Sequence, residues 1–168
     1  MECRSLGRHR DIDTLTDFQR SLNSKYGLGE GSSYKPWLRV QDVSSCGNSG
    51  KILGIKSGRE HHTLSEHESC FFYLAEFCDS VIDIREQFPL IPIDLSIKVA
   101  KTLGVVHPTN PKSSHPNVLT TDFLLTRSDG MHTWYEAVCV KPASHLADKR
   151  TAEKLDLERV WWQLRARS

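Results

Sequence analysis

The chain lacks the cysteine patterns that mark secreted disulfide scaffolds and zinc fingers. Its 168 residues contain five cysteines, an odd number, and none of them forms a Cys-x-x-Cys pair. Disulfide frameworks and closed zinc sites both need paired cysteines at short, regular spacing. We therefore expect reduced thiols at Cys3, Cys46, Cys70, Cys78 and Cys139.

Long hydrophobic runs are missing as well. A membrane helix needs about 20 predominantly apolar residues in succession, and the polar start Met1-Glu2-Cys3-Arg4 has no apolar stretch typical of a signal peptide. Apolar residues make up 38% and charged residues 26% of the chain, a balance typical of folded globular proteins. The length suits one domain. The sequence thus predicts a single α/β domain inside the cell, without membrane contact.

A strong charge of one sign is also absent, because the formal net charge is only +1. Any nucleic-acid contact must therefore come from local patches. The basic residues of the last helical segment are most simply a solvated helix face, with DNA contact as the alternative. The glycine-rich stretch at residues 26–33 lacks the Gly-Lys-Ser/Thr ending of a P-loop, so a flexible connection is the simpler interpretation.

Periodicity predicts the regular elements. Apolar residues recur at helical spacing in residues 11–24, 65–78, 96–103 and 150–165. Alternating and β-branched residues predict strands at 37–43 and 51–56, joined as a hairpin, and at 81–85 leading into 87–90. Residues 106–117 carry three prolines and should form an exposed loop.

The best-defined predicted feature is a hairpin of residues 118–126 and 132–140 around Ser128-Asp129-Gly130. A turn centred there sets Asp122 opposite residues 136–138. It also brings Asp122 close to Lys141, which lies two residues after Cys139 on the same face.

Three residues carry the candidate chemistry: Glu68 on a predicted helix, Asp122 on a strand and Lys141 after the next strand. Mg²⁺ prefers hard oxygen ligands and keeps several waters, so one or two carboxylates, a backbone carbonyl and a phosphate suffice to hold it. Metal and lysine could then support phosphodiester hydrolysis. Simpler alternatives stay open, because Glu68 fits a helix capping box with Ser65, and Lys141 could reach solvent at a sheet edge.

Two other chemistries are weaker. His61, His62, His67 and Cys70 are potential zinc ligands, but their spacing matches no standard closed site. Cys139 could be a nucleophile, but no histidine is placed as its base.

Several blocks in fixed order resemble the TnsA family, the endonuclease subunits of heteromeric cut-and-paste transposases. The resemblance runs from about residue 34 to 162 and rests on KPWL (35–38), GREHHTLS (58–65), IDIREQFPL (82–90), TDFL (121–124), VKP (140–142) and EKLDLER (153–159). It implies an α/β, restriction-endonuclease-like fold in which a mixed sheet is flanked by helices.

The same resemblance implies a function. Glu68, Asp122 and Lys141 match the catalytic positions, with Mg²⁺ bound by Glu68 and Asp122. The chain would be a Mg²⁺-dependent DNA endonuclease that hydrolyses the 5′ strands at transposon ends. Its partners would be transposon-end DNA, a TnsB-type DDE transposase and a TnsC-type AAA+ regulator, in the bacterial cytoplasm and on the nucleoid when assembled. The alternatives are a catalytically silent scaffold between transposase and regulator, or a restriction or repair nuclease of the same fold.

The sequence departs from the family pattern at two points. Cys139 stands where the family usually has Gln, and cysteine is a poor side-chain ligand for Mg²⁺, so we expect its backbone carbonyl to be the metal ligand. The chain also stops after the last predicted helix, whereas family members continue with more strands and a winged-helix-like domain. We therefore predict an N-terminal helix and connection at residues 1–33, followed by a catalytic domain at 34–168 without the winged-helix-like domain.

Overall fold

The computed structural model describes residues 10–43 and 48–166. Its helices are α1 (Leu15–Asn23), α2 (Glu66–Glu76), α3 (Ile93–Leu103) and α4 (Lys149–Arg165), and its strands are β1 (Gly50–Leu53), β2 (Glu60–Thr63), β3 (Val81–Pro89), β4 (Thr120–Ser128) and β5 (Thr133–Val138). Short 3₁₀ turns lie at Gly31–Ser33, Val40–Asp42 and Ala143–His145. No helix in these ranges is long and apolar enough to cross a membrane.

The strands form two sheets. β1 pairs with β2, and β4 lies between β3 and β5, with every pairing among the described strands antiparallel. The predicted β4–β5 hairpin is confirmed, with Phe123 paired to Val138 and Ser128 to Thr133. That register carries Asp122 to the level of Cys139, one residue beyond the predicted 136–138.

Two apolar clusters hold the helices on the sheet. α2 packs against β3 and β4 through Phe72, Ile84, Phe123 and Leu125, each at most 1% exposed. A second cluster joins α3 to α4 through Val99, Ala100 and Leu157. Burial of such side chains is worth about 1.5–3 kcal/mol each. The first cluster fixes α2, and with it Glu68, beside the strand that carries Asp122.

The predicted strand at 37–43 is wrong. Residues 40–42 form a 3₁₀ turn instead, because the Asp42 carboxylate accepts hydrogen bonds from the Arg39 backbone N–H, at 3.2 Å, and from its guanidinium. Trp37 is buried against Phe18 of α1 rather than on a sheet face. β1 therefore takes the following strand, β2, as its hairpin partner.

The buried face of α2 is narrower than the apolar residues of its sequence suggest. Phe72 and Ala75 are in the core, but Leu74 and Phe77 are exposed, at 73% and 76%. Cys70 is also exposed. Only the stripe that meets the two sheets is covered, so the apolar content of α2 overstates its contact area.

The segment before β1 is tied to the rest of the described chain. Asn110 donates a hydrogen bond to Asp13 at 2.6 Å, and Gly31 N–H donates to Asp83 at 3.1 Å. The predicted connection at 26–33 thus contacts β3 directly.

Candidate active site

The β4–β5 hairpin brings Asp122 and Lys141 into contact. Lys141 Nζ donates to Asp122 Oδ2 at 2.8 Å, and the backbone N–H of Val140 donates to the same oxygen at 2.7 Å. Asp122 is 7% exposed, and a buried carboxylate needs such partners. Burial alone lowers the pKa of Lys141, but the Asp122 carboxylate more than offsets this and raises it, which keeps the ammonium charged. The predicted proximity of these two residues is confirmed.

Glu68 sits in the first turn of α2 and is held by local hydrogen bonds. Ser65 is the N-cap, its hydroxyl donating to Glu68 Oε1 at 3.0 Å and accepting from the Glu68 N–H at 3.2 Å. Leu64 N–H donates to Oε2 at 2.9 Å. Ser65 is therefore the N-cap predicted from the sequence, but the Glu68 carboxylate accepts from the Leu64 N–H instead of the Ser65 N–H that a capping box would engage. Burial raises the pKa of Glu68, and nearby Asp122 raises it further.

The two carboxylates supply oxygen atoms of the kind that a hard divalent cation prefers. Oδ1 of Asp122 accepts no hydrogen bond from residues 10–43 or 48–166, whereas Oδ2 is fully engaged. Those residues contain no cluster of three or more His, Cys, Asp or Glu side chains able to hold a metal. A magnesium ion would thus need water and phosphate oxygens beside Glu68 and Asp122, which is its usual preference.

Cys139 lies beside Asp122. Its thiol lies 3.4 Å from Asp122 Oδ2. Burial, followed by the negative charge of Asp122, raises the pKa of this thiol well above its usual range. A protonated thiol is neither a good nucleophile nor a metal ligand, so the side chain suits neither role. Its backbone carbonyl stays a predicted ligand.

The family model described as the TnsA-like endonuclease N terminal matches residues 78–167. The chain belongs to the TnsA-like endonuclease family. It is also 45% identical over 144 residues to the transposon Tn7 transposition protein TnsA of Escherichia coli, covering 86% of this chain and 51% of that protein. The chain thus spans about half the length of this relative. The α/β, restriction-endonuclease-like fold class predicted from the sequence is confirmed, although the described strands pair only in antiparallel sheets and not in the predicted mixed sheet.

Sequence reasoning missed one acidic residue of this TnsA-like site. Glu158 of α4 lies beside the Thr121 hydroxyl and the Cys139 thiol. With Asp122, Lys141 and Lys154 it lines a cleft of about 440 Å³, whose lining does not include Glu68. The sequence held one signal for this position: Glu158 lies three residues after Leu155 and four before Trp162, which places all three on one face of the helix.

We predict that Glu158 makes the stability of the TnsA-like fold depend on pH. Burial raises its pKa from 4.5 to about 7, and Asp122 acts in the same direction while Thr121 and Lys141 oppose it. The folded state binds this proton more tightly than the unfolded chain does. The resulting stabilisation is complete below pH 4.5 and lost as the pH rises through 7.

Urea unfolding in EDTA from pH 4.5 to 8 tests this. The free energy of unfolding of Glu158→Gln, relative to the unmodified chain, should rise by roughly 3 kcal/mol over that range. Glu153→Gln, on the same helix and paired with Arg150, is the control and should show no such rise. If the free energies of unfolding of Glu158→Gln and of the unmodified chain change in parallel with pH, the raised pKa of Glu158 is contradicted.

The histidines considered as zinc ligands in the TnsA-like chain do not converge on one site. His61 lies between Ser57 and Glu86, with Nε2 2.7 Å from the Ser57 hydroxyl and Nδ1 2.8 Å from the Glu86 carboxylate. His67 is exposed at the surface of α2. The zinc alternative therefore has no ligand cluster within the described ranges.

Proposed function

We propose that this chain is a metal-dependent DNA endonuclease subunit of a heteromeric transposase, which hydrolyses the 5′ strands at transposon ends. The observation that carries the proposal is the 2.8 Å contact between Lys141 and Asp122, both of which lie close enough to Glu68 to shift the pKa of its carboxyl. Membership of the TnsA-like endonuclease family supports the class of reaction.

In this proposal the residues divide the work of binding a cation and stabilising charge. Val140 N–H and Lys141 hold Asp122 Oδ2, so that Oδ1 is the oxygen available to a cation, and Glu68 supplies a second carboxylate from α2. A divalent cation held by Glu68 and Asp122 would supply Lewis-acid chemistry, lowering the pKa of a bound water and offsetting charge on the phosphate. The compact Lys141 ammonium orients the attacking water or stabilises negative charge on the phosphate oxygens.

The partners and the domain organisation belong to the same proposal. The similarity to a Tn7 transposition protein supports transposon-end DNA as the substrate. A TnsB-type DDE transposase would cut the 3′ strands, and a TnsC-type AAA+ regulator would control assembly. Residues 34–168 would form the catalytic unit, preceded by the N-terminal helix and connection of residues 1–33.

Metal removal tests the proposal. The chain is mixed with a DDE-type transposase and duplex DNA that carries one transposon end and a label on each strand. We expect 5′-strand cleavage in Mg²⁺, no 5′-strand product in excess EDTA, and recovery when Mg²⁺ is restored, because the two carboxylates cannot polarise water unaided.

Two results would contradict the proposal. Undiminished 5′-strand cleavage in EDTA would exclude the metal mechanism. Equal cutting of plasmid DNA without the transposase would favour a restriction or repair nuclease instead. Cleavage of the 3′ strands by the transposase, measured in each Mg²⁺ reaction, is the internal control for assembly.

A further inference from the structure

Gln87 has an unusual backbone for a residue inside a strand. Its φ is +47° within β3, two residues before the strand ends at Pro89, a left-handed conformation that non-glycine residues seldom adopt and that favours Asn and Asp when they do. Such backbone strain is concentrated at functional sites, where the surrounding structure enforces it. Here the surrounding structure is the candidate active site.

The irregularity lies directly across from Asp122. The pairs on either side, Glu86 with Phe123 and Phe88 with Thr121, hold one register, and the Gln87–Asp122 pair between them is missing from the ladder. The Arg85 guanidinium also lies 5.5 Å from the ring of Phe88, although residues three apart on a regular strand face opposite sides. The conformation of Gln87 therefore shifts the side-chain alternation of β3.

The Gln87 side chain joins the two elements that carry the carboxylates. It is 2% exposed, its Nε2 donates to Glu68 Oε2 at 3.3 Å, and its Oε1 accepts from the Thr120 hydroxyl at 3.0 Å. One end thus contacts the Glu68 carboxylate on α2. The other contacts β4 two residues before Asp122.

We propose that Gln87 is a positioning residue, whose strained backbone turns its amide toward Glu68 and so fixes the orientation of that carboxylate relative to Asp122 for binding a divalent cation. This inference rests on the proposed function. A primary amide suits the task because it donates to Glu68 and accepts from Thr120 at the same time. A carboxylate would instead place a third negative charge against Glu68.

The test is direct metal binding by the full chain, measured as Mg²⁺ titration in a calorimeter without DNA. Gln87→Met keeps a similar volume but removes both hydrogen bonds. We expect its Mg²⁺ affinity to fall about 10–100-fold, the usual effect of removing a hydrogen-bond partner of a metal ligand. Gln163→Met, an exposed position on α4, is the matched control and should bind Mg²⁺ as the unmodified chain does.

A second variant separates positioning from folding. Gln87→Gly removes the side chain but suits φ +47°, so the chain in EDTA should unfold at or near the temperature of the unmodified chain. Its Mg²⁺ affinity should still fall by the same factor. If the Mg²⁺ affinity of a variant falls only where its unfolding temperature falls as well, Gln87 is a structural residue and the proposal is overturned.

The outcomes also separate this proposal from the proposed function. If Asp122→Asn loses Mg²⁺ binding while Gln87→Met and Gln87→Gly bind normally, the role of Gln87 is wrong and the nuclease assignment stands. If the unmodified chain neither binds Mg²⁺ nor cleaves DNA with its transposase, both fail.

Discussion

Replacing Asp122 with asparagine should lower the rate of 5′-strand cleavage by about 10³-fold or more, the scale of losing a main electrostatic contributor to a transition state. Asparagine keeps the shape and one acceptor for Val140 N–H, so the hairpin should still fold. It removes the charge that holds a cation and pairs with Lys141. Single-turnover cleavage of end-containing DNA measures the effect.

The matched control is Asp129→Asn on the same hairpin. Asp129 is a turn residue that accepts hydrogen bonds from the Met131 and His132 N–H groups at 2.9 and 2.7 Å, outside the site. We expect a cleavage rate within about twofold of the unmodified chain for this surface change. A comparable rate for Asp122→Asn would remove Asp122 from the catalytic machinery.

Replacing Glu86 with glutamine should produce the largest loss of stability. Its carboxylate is fully buried and accepts two hydrogen bonds from the Arg59 guanidinium, at 2.8 and 2.6 Å, one from the His62 N–H at 3.1 Å, and contacts His61 Nδ1 at 2.8 Å. Removing one charge leaves Arg59, itself 9% exposed, unpaired. Breaking a buried pair in this way costs about 3–5 kcal/mol, measured as the free energy of urea unfolding at pH 7.

The pH profile gives the same residue a second test. Burial alone raises the pKa of Glu86, but the hydrogen bonds from Arg59 and His61 outweigh it and lower the pKa to about 2. The stabilisation is therefore present above pH 4.5 and lost as the pH falls through 2.

The control for Glu86→Gln is Glu136→Gln. Glu136 is half-exposed and paired with Arg127, so its replacement should lower the free energy of unfolding by less than about 1 kcal/mol. An equally small loss for Glu86→Gln would contradict the buried network.

Local sequence signals were sufficient for the elements that position Asp122 and Lys141. The Ser128-Asp129-Gly130 turn between two β-rich runs defines its own partner strands, so the hairpin and its contact were predictable. The Ser65 cap likewise marked the start of α2. These features depend on neighbours within about 20 residues of chain.

Features that depend on distant contacts could not be predicted. The Trp37 region has the composition of a strand, but Trp37 packs against Phe18 of α1. The hydrogen bonds that Arg39 donates to the Asp42 carboxylate then turn the chain. Glu158 resembles one more charge on a polar helix face until α4 docks against β4. The left-handed conformation of Gln87 follows from its place between α2 and β4, which no local pattern encodes.

Strand-resolved cleavage of one labelled transposon-end duplex, in Mg²⁺ and with the DDE-type transposase present, tests the metal-dependent site most directly. The unmodified chain should yield cut 5′ strands, while Asp122→Asn should leave the 5′ strands intact and the transposase still cut the 3′ strands in the same reaction. Equal 5′-strand cutting by both proteins would contradict the assignment of Glu68, Asp122 and Lys141 as a nuclease centre.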